Sequence, residues 1–373
     1  NLDGDTRNDA WLVSGALLMI ALYIASPVRP HDTAWFHGSR LAVEAFGLLL
    51  AGYALPNPTR SFEWTMKALI GVCCLEALVG LAQQAIGTTR LVLRLHYTYG
   101  EQVRETSTGQ LRSFGTLDEP FNYATLLLLG LVALMVTARG RILVPSLISV
   151  LLIVGLAASV VRTAALALAV IAAIWLLRKA RLEAAIALLL AMVVASCALI
   201  ALAPGATGNS GGAANFILTL NGRTTVWGQL INSPTAWIAG RGVGAVGTGA
   251  NRAQSGSVYQ PTRGGSPVAA RTQTDVDKFN VDSSYLSFVA DVGLVGLALL
   301  LALFARILKL GVTAARRGSD AGWAAVTITI VMLIDATTRT SLTSFPVGFI
   351  ALVLIGLSLA ACQHDRRPVA ARL

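Results

Sequence analysis

The sequence predicts an all-α polytopic membrane protein, and three observations carry that reading. The composition is 55% hydrophobic and 13% charged, with mean hydropathy +0.66, outside the range of soluble globular domains. Apolar runs approaching the roughly 20 residues needed to cross a bilayer recur along the chain. The ten candidates are 11–26, 39–55, 66–87, 122–138, 142–158, 163–177, 184–203, 282–308, 322–337 and 343–361. These runs are apolar on every face rather than alternating, which excludes an outer-membrane barrel. The chain divides into residues 1–203 (seven spans and a polar loop, 88–121), residues 204–281 (one large loop with short helices) and residues 282–373 (three spans and a tail).

Taken in order, the first spans follow an Asn rather than a Met, with no charged, apolar and cleavable succession before Trp11, so no removable signal peptide is expected. Glu44 and Glu76 fall at intramembrane depth, where an ionisable group is costly unless paired or in use. Cys73, Cys74, Cys197 and Cys362 lie in or at the ends of spans. That placement argues against both a disulfide framework and a cysteine zinc site.

The 88–121 loop carries Arg90, Arg94, Arg104 and Arg112 and has a candidate interfacial helix over 89–95. It ends in Asp118-Glu119-Pro120, where Pro120 suits a helix start and the two carboxylates its positive end. So little polar sequence joins the fifth and sixth spans that Arg162 must lie at the bilayer rim, as an interfacial anchor or a functional group.

In the large loop, Arg223, Trp227 and Leu230 or Ile231 recur at helical spacing, as in a short amphipathic helix with Asn232-Ser-Pro234 as its stop. The run Gly240-x-Gly242-x-Gly244 permits close backbone approach, but without a preceding buried strand it is no nucleotide fingerprint. Asp282 opens the next span and suits an N-cap. Asp291, about 13 Å further along the helix, reads as a packing or hydrogen-bonding group. Asp335 and Arg339 are four apart on the ninth span and would pair on one face.

Orientation follows from Lys and Arg in the short loops. Alternate connections hold Arg60 and Lys67, Arg139 and Arg141, Arg178, Lys179 and Arg181, and Arg306, Lys309, Arg316 and Arg317, with Arg7 and Arg366, Arg367 and Arg372 at the two ends. The intervening short loops are poorer, with Arg29 and Arg40, Arg162 alone and Arg339 alone. The first set is therefore cytoplasmic, and 88–121 and 204–281 face outward. The outward side holds thirteen arginines and a single lysine, Lys278. A planar guanidinium matches phosphate oxygens in a way an ammonium does not, so this bias points to a phosphate or pyrophosphate ligand; the alternative is an arginine-rich composition throughout.

Several residues in fixed order carry a resemblance. They are Arg112-x-x-Gly-Thr with Pro120 before a span, Val-Val-Arg162-Thr at a span start, Gly-Arg223-x-x-x-Trp227, Gly240-x-Gly242-x-Gly244, and Asp282-Ser-x-Tyr285-Leu before Asp-x-Gly-Leu-x-Gly296. Together, over roughly 112–304, they resemble the O-antigen ligase and O-antigen polymerase superfamily of membrane glycosyltransferases. The resemblance implies a GT-C-like fold in the bacterial cytoplasmic membrane with an extracytoplasmic active site. It also implies transfer of a glycan from a polyprenyl-pyrophosphate carrier to a sugar hydroxyl, with no metal, cofactor or nucleic acid involved.

The implied partners are the lipid-linked oligosaccharide donor, the glycan acceptor and other envelope polysaccharide assembly proteins. Ligases show His-Asn where this chain has Asp282-Ser283, a departure that favours the polymerase branch and leaves the ligase reading open. On this resemblance Asp282 is the base, with Glu119 as the alternative. Arg162, Arg223 and Arg339 clamp the pyrophosphate, and Arg112, Arg241, Tyr123, Trp227 and Tyr285 hold sugars. A transporter is the competing class, and would draw on Glu44, Glu76 and Asp291.

Overall fold

The computed structural model describes residues 4–25, 33–99, 102–106, 109–138, 143–179, 237–238, 240–244 and 283–364. The seventh expected span and the expected helix over 221–231 lie outside these residues. The described chain is helical: α1 Gly4–Ile24, α2 Thr33–Tyr53, α3 Pro58–Ile86, α4 Thr88–Leu95, α5 Pro120–Thr137, α6 Leu143–Ala158, α7 Arg162–Arg178, α8 Ser284–Arg316, α9 Asp320–Asp335 and α10 Val347–His364. A two-residue antiparallel ribbon, β1 Arg104–Glu105 and β2 Leu111–Arg112, interrupts them.

Every expected span within the described residues is a helix, but the expectation of ten crossings is corrected. Among the described residues four helices, α3, α5, α8 and α10, are long and apolar enough to cross a membrane. The others fall short for local reasons. α6, α7 and α9 have 16, 17 and 16 residues, below the roughly 20 of a full crossing. α1 opens on polar sequence, so that its apolar part is only Ala10–Ile24, and α2 is interrupted by His37, Arg40 and Glu44. The protein is a helical membrane protein by this make-up.

The chain sorts into two compact units, one of Asn1–Leu50, Leu190–Arg306 and Ala336–Phe349, the other of Ala51–Leu189, Ile307–Asp335 and Ile350–Leu373. The second unit is built around α5, whose sequence is apolar on all sides and whose residues are buried almost throughout, as a helix without a polar face must be. α3, α6, α7 and α9 pack on it. Two threonine hydroxyls in the bundle are satisfied within their own helices: Thr137 donates to Ala133 O at 2.7 Å, and Thr329 to Ala325 O at 2.6 Å. This is the cheapest solution where lipid offers no partner.

In the first unit, α8 kinks at Gly293, which has φ 74. The break leaves Ala290 O without a regular helical partner, and the Arg241 N–H donates to it at 2.5 Å. A Cβ on Gly293 would sit 2.0 Å from Ile238 O, so the kink and the glycine run are fitted to each other. Gly240, Gly242 and Gly244 all have positive φ, and the Gly244 N–H donates to buried Asp291 Oδ1 at 3.3 Å. The run is therefore used for packing, Gly240 against α8 and Gly244 against the Ala34 carbonyl of α2, and Asp291 is a hydrogen-bonding group, which also receives the Tyr23 hydroxyl. Tyr23 and Phe46 stack edge-on around Phe288, at 5.5 and 6.3 Å between centroids.

Candidate functional site

The chemistry-bearing side chains of the second unit gather at one end of its bundle, where α3 and α6 finish and α5 and α7 begin. The 88–121 segment folds back over that end. The expected interfacial helix is α4 Thr88–Leu95; Leu91 from it meets Val103, Leu111 and Phe114 in a small apolar cluster with Tyr97 against its edge. The ribbon sets Arg104 opposite Arg112.

From Arg112 onward the chain is held down by polar side chains at the end of α3. Gln83 donates to Gly115 O at 2.6 Å and accepts from the N–H groups of Phe114 and Gly115 at 3.1 and 3.0 Å. Gln84 donates to Leu111 O and Ser113 Oγ, each at 2.8 Å. Glu76 accepts from the Thr116 N–H at 2.8 Å and from its hydroxyl. Gly115, at φ 62, must be glycine: a Cβ there would lie 2.1 Å from Glu76 Oε2 and 2.8 Å from the Tyr123 ring.

Glu76 is thus a clasp between a span and a loop rather than a free intramembrane carboxylate. Glu44 is likewise engaged, with Arg40 Nε at 2.5 Å one turn away on α2. Replacing Gln83 by Leu would keep the volume and leave two buried N–H groups and a carbonyl unsatisfied, at about 1–3 kcal/mol each. Gln83→Leu is expected to lower the thermal stability of the detergent-purified protein clearly. An unchanged unfolding temperature would contradict the role of Gln83 as anchor of this turn.

Arg112 joins the loop to the α6–α7 corner. Its Nε donates to Ser159 O at 3.4 Å and its Nη2 to Val160 O at 3.2 Å, with the guanidinium 4.9 Å above the Phe121 ring. Val160 itself has φ 52, a left-handed conformation that costs a β-branched residue of order 1–3 kcal/mol. The corner is held by Ser159, which donates to Leu156 O at 2.6 Å and accepts from the Val161 N–H. Arg162 follows as the exposed first residue of α7.

Burial first, then the like charges of Arg104 and Arg162, pull the Arg112 pKa below the ordinary arginine value, and Glu119 pulls it back up. Glu119 also lies 3.8 Å from Arg104 Nη2. Three guanidiniums therefore share this end with Glu119, and among the described residues Arg162 has no ion pair or hydrogen bond through its side chain. Such a set favours an anion that spreads charge over several oxygens.

The sequence-based candidates Arg112, Arg162 and Glu119 are therefore brought together. Tyr123 is not part of that surface: it is wholly buried, its ring fitted against Gly80, Gly115 and Gly155, and serves the core rather than a sugar. Arg104 was missed as a site residue. Its signal is the alternation on either side of a Gly109 turn, which pairs it with Arg112.

In the first unit, Ser283 and Ser284, which directly follow Asp282 in sequence, are stitched to the segment after α9. Ser284 donates through N and Oγ to Arg339 O at 2.7 and 2.8 Å, and also through its N–H to Ala336 O at 2.9 Å. Its Oγ also accepts from the Leu342 N–H at 3.3 Å. These bonds draw the chain out of helical form, so α9 ends at Asp335 and Arg339 lies beyond it. The expected face-sharing pair on one helix is corrected accordingly. Arg339 is buried and Tyr285 half-buried near the start of α8; Arg241 is half-buried beside the kink. Asp282, Arg223 and Trp227 lie outside the described residues.

Neither a protein-family model nor a curated protein matches the chain. A solved chain from work described as "Structural coordination of polymerization and crosslinking by a peptidoglycan synthase complex" is similar at 15% identity, with TM-score 0.48. The alignment covers 98% of this chain and 98% of that one.

Proposed function

We propose that the protein is a polysaccharide polymerase that transfers glycan from a polyprenyl-pyrophosphate carrier to a sugar hydroxyl at the outer face of the cytoplasmic membrane. The observation that supports this reading best is the gathering of Arg104, Arg112 and Arg162 with Glu119 at one end of the α5 bundle. A pyrophosphate relieves the mutual repulsion of the arginines, and the first turn of α7 adds its N–H groups and positive dipole end. Breaking the bond between sugar and phosphate leaves charge on the departing pyrophosphate, and preorganised guanidiniums stabilise that charge without a metal.

In this reading Arg162 and Arg223 contact the pyrophosphate, with Arg339 as a further clamp. Asp282 takes the proton of the incoming hydroxyl, with Glu119 the next carboxylate in line. Arg241, Trp227 and Tyr285 are assigned to the sugars. The carboxylates that a transporter would use are occupied otherwise: Glu76 holds Thr116, Glu44 meets Arg40, and Asp291 receives Gly244.

The test is an in vitro reaction of purified protein with lipid-linked repeat units, resolved on a gel. A ladder of products is expected. A single addition would instead identify a ligase, and a protein that moves a solute into vesicles without making product would be a transporter.

A further inference from the structure

A groove of about 630 Å³ runs along the second unit between α6 and α7, with Leu131, Leu134 and Met135 of α5 as its floor. This volume is within the roughly 300–1,000 Å³ of small-ligand sites. Its walls are mainly apolar, including Ile153, Leu168 and Trp175, with Ser146 and Ser149 of α6 among them, and Arg178 and Lys179 stand at its mouth. That mouth lies at the end of the bundle away from the arginine cluster, because α5 ends there whereas α7 begins at the cluster.

Three features narrow the occupant. From Leu168 to Lys179 the helix rises about 16 Å, the depth of one leaflet of an about 30 Å hydrocarbon core. Trp175, exposed on the groove's edge one turn from the mouth, is the residue type that settles at headgroup level. The mouth is cationic: Arg178 donates to Met135 O and lies 2.5 Å from Asp320, which fixes it in place, while Lys179 is exposed beside it. Among the described residues, two cations, Arg178 and Lys179, stand here with one carboxylate, Asp320.

We propose that the groove is a binding site for an anionic glycerophospholipid, with one acyl chain laid on α5 between α6 and α7 and the phosphate at Lys179. The proposal rests on α5 to α7 as a membrane-embedded bundle and is independent of glycan transfer. The full chain, purified in mild detergent, is offered phosphatidylglycerol or phosphatidylcholine and its retained lipids are weighed by native mass spectrometry. Wild type is expected to retain phosphatidylglycerol in preference. Lys179→Ala should reduce that preference about fivefold, and Ala172→Trp, which fills the groove, should abolish retention, while Leu147→Trp on the exposed side of α6 should not.

Equal retention by wild type and Ala172→Trp would overturn the site, as would a wild type that holds no lipid. Should Ala172→Trp fail to fold, Lys179→Ala decides alone, and an unchanged preference rejects the proposal.

Discussion

Arg162→Lys is expected to slow glycan transfer about 10²- to 10³-fold while leaving the fold intact. The size follows from what one preorganised donor contributes where charge develops in a transition state. A lysine keeps the positive charge at the start of α7 but loses the planar fork that meets two phosphate oxygens at once. Arg162 is the cleanest position for this substitution because it is exposed and its side chain carries no ion pair or hydrogen bond among the described residues. Arg112→Lys is a poorer probe, since it also removes the bonds to Ser159 and Val160 at a strained corner. Full turnover in Arg162→Lys would remove Arg162 from the pyrophosphate site and leave it an interfacial anchor.

Asp282→Asn is expected to cost about 10²- to 10⁴-fold in rate with little change in stability. An amide has no useful proton affinity, and loss of a general base carries a penalty of that size. If Asp282 only capped α8, Asn would serve about as well and activity would survive. The two roles thus predict opposite outcomes for one substitution. Transfer rates should be read beside thermal unfolding of the same preparation. Near-normal turnover with normal stability would turn attention to Glu119, which lies beside Arg104 and acts on Arg112.

Hydropathy made the helices legible because the bilayer imposes one local rule on each segment separately. Pro120 marked the start of α5, and the 89–95 helix is α4 nearly as expected. What each segment packs against is a property of pairs, and it was not legible in the same way. Glu76 read as an expensive intramembrane charge, yet its cost is offset by Thr116, forty residues away. Gly240 and Gly244 looked free to approach a ligand, whereas the kink at Gly293 uses the room that Gly240 leaves and the Ala34 carbonyl of α2 the room that Gly244 leaves. Asp335 and Arg339 have helical spacing, but Ser283 and Ser284 take the carbonyls beyond Asp335 and end the helix between them. The arginines were legible as a population, and their convergence needed the Arg104–Arg112 ribbon and the α6–α7 corner.

The proposed reaction forms each glycosidic bond at the expense of one carrier linkage. It is tested most directly by following a reaction of purified protein with lipid-linked repeats and measuring released carrier against repeats joined. One polyprenyl pyrophosphate per bond formed is the predicted result, with release and chain growth falling together in Arg162→Lys. Chain growth without that release, or release as the monophosphate in the absence of any other enzyme, would rule out this stoichiometry.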